Sequence, residues 1–392
     1  MKKLLLTLLI TAHCLSLHAQ DSKPTLQRRF AIQPSQQEMR AFEGNNSFHA
    51  YYELLIHNLT RSDITISSLE VLGGNFSVLF PEKELKTMFA QAREEFSKPH
   101  TPTLKRGESG ILFVALDFPD KNSIPQAITN NITISWNESS QIIKTEEIAI
   151  NTTTPITFPS PVEGAFWLIL DGPGNHSRHR RSLNVGNGEM AFPQRFAVDW
   201  VQYNEEGKLF VGDPQNNDSY ICYGVPILSV SKGVVVQTRN DMQENKIGGY
   251  TLEVPLEYDT VMGNYVLVQI DDKHYALYAH MQPGSVTVIA GDKVSAGQLL
   301  GKLGNSGNST QPHLHFHISS KPKAIIGEEK LYPLLANGLP FYLEQFSRIE
   351  YTATGYLEDG VPYKIYPGES VDVEKQSLMN NNLITVKKTS YP

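Results

Sequence analysis

GKLGNSGNSTQPHLHFHIS, residues Gly301–Ser319, is the stretch that decides the fold class of this chain. Three histidines occupy alternate positions in it: His313, His315 and His317. The positions between them are apolar: Leu314, Phe316 and Ile318. Period two is that of a β-strand, so the pattern predicts imidazoles on one face and buried apolar side chains on the other. Because histidine makes up only 12 of 392 residues, three within five positions favour a metal or catalytic site over a solvated polar face.

Charge and hydropathy argue against two classes of partner. The formal net charge is −7 and positive charge clusters only at Arg178–Arg181, so binding to nucleic acid is not expected. Beyond the N-terminus no apolar stretch approaches the ~20 residues that span a bilayer, so no integral membrane span is expected. The sequence makes no prediction about the oligomeric state.

Met1–Ala19 has the features of a secretory signal peptide. It carries two lysines, an apolar run and a small residue before the expected cleavage site, so the mature protein is expected in the periplasm or outside the cell. A lipoprotein alternative through Cys14 is disfavoured, because the bulky His13 precedes the cysteine. Removal of the signal leaves Cys222 alone, so no internal disulfide is expected, and Cys222 is interpreted as a buried small hydrophobe.

The sequence pattern of the rest of the chain predicts a mainly β protein. Residues 20–155 carry alternating segments such as SFHAYYELLIHNL and NNITISWNES, which predict an immunoglobulin-like β-sandwich, although the Cys…Trp…Cys core of antibody domains is absent. The Pro- and Thr-rich stretch Thr152–Pro161 marks a domain boundary. Strand patterns continue through residues 156–345, and residues 346–392 are expected to extend this second domain. Helices are predicted at only two places: Glu82–Ser97 and near Glu328–Asn337.

Two further segments supply metal-ligating residues. A zinc hydrolase needs three protein ligands and an open fourth position, and His315 is one candidate ligand. Asp199, within QRFAVDW, is another, because an acidic residue inside so apolar a strand requires a partner or a metal. The third ligand is expected from the segment NHSRHRR, which offers both His176 and His179.

Five motifs in this order resemble the lysostaphin/LytM-type zinc endopeptidases, which cut peptide cross-links in bacterial cell walls. They are GVPILSVSKGVVV (Gly224–Val236), GNYV (Gly263–Val266), YAHM (Tyr278–Met281), VIAGDKVSAGQLLGKLG (Val288–Gly304) and NSGNSTQPHLHF (Asn305–Phe316). The resemblance covers roughly a hundred residues. It implies that residues 156–345 form an antiparallel-β peptidase domain that binds Zn²⁺ and acts on a peptidoglycan peptide.

The resemblance also implies a role for individual residues. His315 and Asp199 match zinc ligands of the family, and His313 and His280 match its two catalytic histidines. One of the catalytic pair would take a proton from the attacking water, while the other would donate a hydrogen bond to the oxyanion or the leaving amine.

Two positions depart from the common family pattern. The family places a ligand histidine four residues before the aspartate, where this chain has Arg195. A branch of the family with a loop inserted between the two ligands is similar to this chain. His179 is favoured over His176 as the ligand, because it leads directly into an apolar segment while His176 sits in a Gly/Pro/Asn turn. His317 stands where the family usually has Glu. It could support a ligand, contact the substrate or lie on the rim of the site, and the rim is favoured.

These features together predict an exported zinc metalloendopeptidase that hydrolyses peptide cross-links of peptidoglycan. One alternative is a metal-free relative that binds cell wall or activates another hydrolase, and it is disfavoured because the expected ligands are all present. Another is a zinc peptidase that acts on a protein. A biotinyl or lipoyl carrier module is disfavoured, because the halves of its barrel would be separated by some fifty residues without a Met-Lys hairpin.

Overall fold

The computed structural model describes residues 30–91, 100–247, 253–357 and 360–386. The predicted signal peptide lies outside these ranges. Within them, no helix combines the length and the apolar composition that crossing a bilayer requires.

The described residues before position 152 form short strands and one short helix. They are β1 (Phe30–Pro34), β2 (Glu38–Arg40), β3 (Phe42–Gly44), β4 (Ser47–Asn58), β5 (Ile64–Gly73), β6 (Phe76–Pro81), α1 (Glu82–Met88), β7 (Phe89–Gln91), β8 (Thr103–Leu104), β9 (Ser109–Phe118), β10 (Ala127–Trp136), β11 (Ser139–Lys144) and β12 (Ile148–Asn151).

These strands build two sheets that face each other across one core. The first sheet has the order β1-β4-β9-β7, with β3 paired to β4. The second has the order β2-β12-β10-β5-β6, with β11 paired to β10 and β8 paired to β5. Alternate side chains from both sheets, such as Tyr52, Val114, Leu69 and Ile132, are fully buried in the shared core. The segment is therefore a β-sandwich, while the immunoglobulin-like topology stays a prediction.

Strands also dominate the rest of the chain. They are β13 (Ile156–Phe158), β14 (Gly164–Leu170), β15 (Asn184–Gly186), β16 (Glu189–Ala191), β17 (Val198–Gln202), β18 (Pro226–Leu228), β19 (Gly233–Arg239), β20 (Asn264–Gln269), β21 (Tyr275–Met281), β22 (Lys293–Val294), β23 (Leu299–Lys302), β24 (Leu314–Ser319), β25 (Lys323–Ala324), β26 (Leu331–Tyr332), β27 (Gly338–Leu339), β28 (Phe341–Tyr356), β29 (Pro362–Gln376) and β30 (Leu383–Val386).

One twelve-stranded sheet organises this part of the chain. Its order is β13-β28-β30-β14-β17-β24-β21-β20-β19-β22, with β27 paired to β24 and β29 paired to β28. The described strand pairs are antiparallel except β2 with β12 and β13 with β28. The mainly β fold class is therefore confirmed. Strands β28 to β30 join the same sheet as β17 and β24, although the domain boundaries at residues 155 and 345 stay proposals.

Both helix predictions need correction. The helix expected at Glu82–Ser97 ends at Met88, because the chain continues as β7 from Phe89; residues 92–97 lie outside the described ranges. The helix expected near Glu328–Asn337 is absent from the described chain, where β26 leads into a single 3-10 turn at Pro333–Leu335. Pro333 has no N–H to donate, so it cannot continue a helix that begins before it.

Cys222 is fully buried, as the sequence predicted. Its thiol donates a hydrogen bond to the carbonyl oxygen of Pro312 at 3.1 Å. Burial raises the pKa of this thiol to about 12, so it stays protonated at neutral pH and has little nucleophilic character.

The outer face of strand β4 is covered by the segment that leads into β17. Tyr51 stacks on Phe196 with ring centroids 6.2 Å apart, and Phe113 meets Phe192 edge-on at 6.3 Å. Glu53 lies two residues after Tyr51 on β4 and opposite Phe113 of β9, and its side chain is completely buried.

Two arginines from the second part of the chain pair with Glu53. Arg180 Nη1 contacts Glu53 Oε1, and Arg195 Nη2 lies 2.7 Å from Glu53 Oε2. Burial alone would raise the pKa of Glu53, but the two guanidinium groups lower it from 4.5 to about 2. A carboxylate with a depressed folded-state pKa contributes stability that is fully present above its unfolded pKa and is lost as the pH falls towards its folded pKa.

This sign predicts an acid-dependent stability that the Glu53→Gln variant lacks. Between about pH 5 and pH 2, the free energy of unfolding of the wild type should fall by about 3 kcal/mol more than that of the variant. The variant starts less stable because two buried guanidinium groups lose their partner, so the comparison is between slopes. Urea denaturation at a series of pH values measures both slopes, and equal slopes would contradict the prediction.

Candidate metal centre

The site begins with a pair of residues on neighbouring strands. Asp199 of β17 lies directly opposite His315 of β24 in an antiparallel register. His315 Nδ1 and Asp199 Oδ1 are 2.9 Å apart, within hydrogen-bonding distance. The apolar neighbours in HLHFHIS are fully buried in the core beneath the sheet: Leu314, Phe316 and Ile318. The predicted strand and its two faces are confirmed.

His280 reaches the same face of the sheet through an unusual backbone conformation. Ala279 of β21 lies opposite His315, so regular alternation would turn His280 to the other face. His280 instead has φ +65°, in the left-handed region that side chains with a Cβ rarely adopt, and β21 has a register shift here. Both Ala279 and His280 therefore line one cavity.

A loop opposite β21 holds the imidazole of His280. The Nδ1–H of His280 donates to the carbonyl oxygen of Ser306 at 2.7 Å. Ser306 packs against Gly263 of the GNYV motif, where a Cβ would lie 2.4 Å from that carbonyl oxygen. Gly263 also has φ +63°, so glycine is required there both for close approach and for backbone conformation.

His179 enters the site from outside the sheet. It begins a 3-10 turn, His179–Arg181, and its Nδ1–H donates to the carbonyl oxygen of Asp171 at 3.0 Å. Its Nε2 lies 3.4 Å from Asp199 Oδ2. His176 is exposed and does not line the cavity.

Three ligand atoms converge at this point. One nitrogen each of His179 and His315 and one oxygen of Asp199 lie within 4.8 Å of one another. The structure thus brings together the three residues that the sequence proposed as metal ligands, and it leaves the alternative His176 outside.

His313 lies beside the cluster rather than at its centre. Its Nδ1–H donates to the carbonyl oxygen of Gln311 at 2.9 Å, and its Nε2 lies 3.6 Å from Asp199 Oδ2. Its ring centroid is 4.7 Å from that of His280. The two histidines proposed as catalytic are therefore neighbours on one side of Asp199.

The orientation of three imidazoles is set by main-chain carbonyls. A carbonyl oxygen can only accept a hydrogen bond, so the ring nitrogen facing it must carry a proton. For His179, His280 and His313 that nitrogen is Nδ1, which leaves Nε2 directed towards the cluster. The carbonyls belong to Asp171, Ser306 and Gln311. Sequence reasoning missed these three partners, because a main-chain acceptor has no residue-type signal.

His317 is not a rim residue, which corrects the sequence interpretation. It is fully buried, and its Nδ1 lies 2.9 Å from His315 Nε2. Leu277, its direct neighbour on β21, packs against Leu334, so a later segment covers this part of the sheet face. Burial, followed by the neighbouring His315, lowers the pKa of His317 well below its usual value.

The cluster forms one wall of a cavity of about 250 Å³. Burial would raise the pKa of Asp199, but the adjacent His179, His313 and His315 hold it below its ordinary value. Burial, together with His313 and His315, lowers the pKa of His280 well below its usual value. Asp199 is thus an anion and His280 a neutral imidazole at neutral pH.

The donor set suits a divalent transition metal with an open coordination position. Two imidazole nitrogens and one carboxylate oxygen are a ligand combination that catalytic zinc sites use. Asp199 is a partly buried anion whose hydrogen-bonding and ionic contacts are with imidazoles, and a cation would compensate its charge. The residues therefore fit the ion that the sequence resemblance implied.

Comparison with known proteins places part of the chain in a family. Residues 218–326 match peptidase family M23. A stretch of 125 residues is 29% identical to the peptidoglycan DD-endopeptidase ShyA of Vibrio cholerae, covering 32% of this chain and 24% of that protein. A stretch of 107 residues is 33% identical to the glycyl-glycine endopeptidase ALE-1 of Staphylococcus capitis, covering 27% and 24%.

Among solved structures, the catalytic domain of lysostaphin from Staphylococcus simulans is similar at 23% identity. The match covers 40% of this chain and 87% of that domain, with a TM-score of 0.21, too low to add to the assignment.

The matched segment does not span the whole site or the whole of the relatives. The chain spans about a quarter of the length of ShyA and ALE-1. The segment 218–326 includes His280, His313 and His315, whereas His179 and Asp199 lie upstream of it. The chain therefore carries a domain of peptidase family M23, the lysostaphin/LytM-type family that its motifs resemble.

Proposed function

We propose that this protein is an exported zinc metalloendopeptidase that hydrolyses peptide cross-links of peptidoglycan. The observation that carries the proposal is the convergence of His179, Asp199 and His315 beside two further histidines in one cavity. The name of one relative, a peptidoglycan DD-endopeptidase, supports peptidoglycan as the substrate, and the name of another, a glycyl-glycine endopeptidase, supports hydrolysis of a peptide bond. The lysine-led N-terminal segment supports export.

In this proposal the metal ligands are His179 Nε2, a carboxylate oxygen of Asp199 and His315 Nδ1. Bound zinc acts as a Lewis acid and lowers the pKa of water to about 7, which supplies a nucleophile at neutral pH. Binding at His315 Nδ1 requires the proton of this imidazole to be on Nε2. That nitrogen would then donate to Nδ1 of His317, which fixes the ring as a ligand.

Proton transfer would fall to His280 and His313. Both present Nε2 to the cavity, because their Nδ1 atoms are held by carbonyl oxygens. One of them accepts a proton from the attacking water, and the other donates to the oxyanion or to the leaving amine. Both side chains are buried, and electrostatic interactions in buried surroundings are stronger than in bulk water.

Metal analysis of the purified full-length protein, together with digestion of purified cell-wall sacculi, tests the proposal. We expect about one zinc per chain, and mass spectrometry of the released peptides identifies the bond that is cut. Protein that stays metal-free and inactive after zinc is added would favour the metal-free binding protein instead. Cleavage of a protein but not of sacculi would favour the protein-directed peptidase.

The first prediction from the proposed function concerns which of the two upstream histidines, His176 or His179, binds the metal. His179→Ala should weaken zinc binding by orders of magnitude, because two remaining protein ligands hold this metal poorly. His176→Ala is the matched control and should keep zinc and activity close to wild type, since His176 is exposed. Competition with a chromogenic chelator measures the affinity. Loss of zinc from His176→Ala alone would overturn the ligand assignment.

The second prediction separates ligands from proton-transfer residues. His280→Ala and His313→Ala should keep zinc but lose about 10²–10⁴-fold in turnover, the usual range for a general acid or base. His274→Ala is the control, because this histidine pairs with Asp271 in the turn before β21 and should leave turnover unchanged. If either of the first two substitutions emptied the metal site, the division of roles would be wrong.

The third prediction concerns the imidazole behind His315. His317→Leu removes the hydrogen-bond partner of His315 Nε2 and should weaken zinc binding about 10–100-fold. His317→Gln can still accept that hydrogen bond and should bind zinc more tightly than the leucine variant. Chelator competition on both variants gives the comparison, and equal affinities of His317→Leu and wild type would argue against the role.

A further inference from the structure

The turn that carries His179 packs against the N-terminal β-sandwich. Its three residues, His179, Arg180 and Arg181, are all buried, yet they belong to no strand. His179 points to Asp199, whereas both arginines contact residues that precede position 120. The ligand histidine is therefore adjacent in sequence to two anchors in a different part of the fold.

Arg180 is the deeper of the two anchors. Its side chain is completely buried, and it forms an ion pair with Glu53 of β4. Its Nη2 donates to the carbonyl oxygen of Tyr52 at 3.0 Å and to that of Val114 at 3.3 Å. The guanidinium group also lies 5.2 Å from the ring centroid of Phe113. These contacts fix both the position and the orientation of the guanidinium plane.

Arg181 and its neighbours extend the contact. Arg181 Nη2 donates to the carbonyl oxygen of Thr87 in the last turn of α1, and Arg181 Nε donates to that of Asn175 at 3.1 Å. Asn175 Nδ2 in turn donates to the carbonyl oxygen of Phe113 at 3.0 Å. Residues 174–191, which form an excursion before β17, are thus docked on α1 and β9 at several points.

The same carboxylate holds the segment that leads into Asp199. Arg195 Nε donates to Glu53 Oε1 at 3.0 Å, and Arg195 Nη2 donates to Glu53 Oε2 at 2.7 Å. Arg195 stands four residues before Asp199, in the position where the resembling family has its ligand histidine. One buried carboxylate therefore connects the two backbone segments that carry His179 and Asp199.

We propose that the N-terminal β-sandwich is a structural part of the metal centre, and that Glu53 is a positioning residue that sets His179 relative to Asp199. The proposal rests on the proposed function for the identity of the metal. A ligand on a short turn would have to lose conformational freedom when the metal binds, which weakens binding. Docking through Arg180 and Arg195 orders it beforehand, so the sandwich raises metal affinity without touching the metal.

The test uses two kinds of variant in the full-length protein. Glu53→Gln removes the charge that joins the two arginines, but it leaves two buried cations unpaired and lowers stability. The triple variant Glu53→Leu, Arg180→Met and Arg195→Met removes all three charges together, which commonly preserves stability. Asp117→Asn is the matched control, because Asp117 is largely exposed and its ion pair is with His49 on the same sheet at 2.7 Å rather than with the turn.

Two measurements are made on each variant well below its thermal midpoint. The first is the Zn²⁺ dissociation constant from chelator competition. The second is amide hydrogen exchange in the metal-free protein at Ser177, Arg181 and Ser182, whose N–H groups bond within the excursion. We expect Zn²⁺ affinity to fall about 10–100-fold and exchange at these amides to accelerate in Glu53→Gln and in the triple variant. Asp117→Asn should match wild type in both.

The outcomes separate the positioning role from a purely stabilising one. A triple variant that recovers wild-type thermal stability, and with it wild-type zinc affinity and slow exchange, would overturn the proposal. If the wild type binds no zinc, the proposed function fails but the exchange measurement still decides. Faster exchange in the two variants would then support the docking role of Glu53, and unchanged exchange would reject it.

Discussion

Asp199 and His315 lie directly opposite each other on neighbouring antiparallel strands, and the register that pairs them governs the geometry of the site. A slip of either strand by one residue would turn its side chain, Asp199 or His315, to the opposite face of the sheet. That face is filled by Leu314, Phe316 and the surrounding buried core, so the register is strongly specified. The register of the sheet therefore sets the distance between the Asp199 carboxylate and the His315 imidazole.

Three further imidazoles, those of His179, His280 and His313, reach this pair from irregular backbone, and each is oriented by a main-chain carbonyl. His179 and His313 lie outside regular strand geometry, and His280 adopts a positive φ at a register shift. A conformation of this kind costs about 1–3 kcal/mol and persists only where surrounding contacts impose it. Here the carbonyl oxygen of Ser306 supplies one such contact. The site is preorganised by peptide groups, which do not reorient when charge develops nearby.

Local periodicity predicted the parts of the site that lie on a regular strand. The strand HLHFHIS and its two faces follow from alternation alone, and burial of Cys222 follows from its apolar surroundings. Alternation could not place His280, because its positive φ turns it to the face opposite the one that a regular strand would give it. The motif resemblance indicated His280 where periodicity could not.

Contacts between distant segments account for what the sequence did not predict. His317 is buried because the chain around Leu334 covers its face of the sheet, and the same segment was wrongly expected to be helical although it contains Pro333. Glu53 lies in an ordinary strand pattern, YYELL, and its partners Arg180 and Arg195 are 127 and 142 positions away. Neither relationship leaves a local signature.

The triad of Glu53, Arg180 and Arg195 also limits how this chain can diverge. Replacing the carboxylate alone leaves two buried guanidinium groups without their ion-pair partner. Replacing either arginine alone leaves the buried carboxylate with one ion-pair partner instead of two. A substitution at one of the three positions is therefore expected to destabilise the fold more than a joint substitution of all three. Strand β4 and the segment that carries Arg180 and Arg195 therefore depend on each other for stability, so exchanging either one for the equivalent part of a relative is expected to destabilise the fold unless the other is exchanged with it.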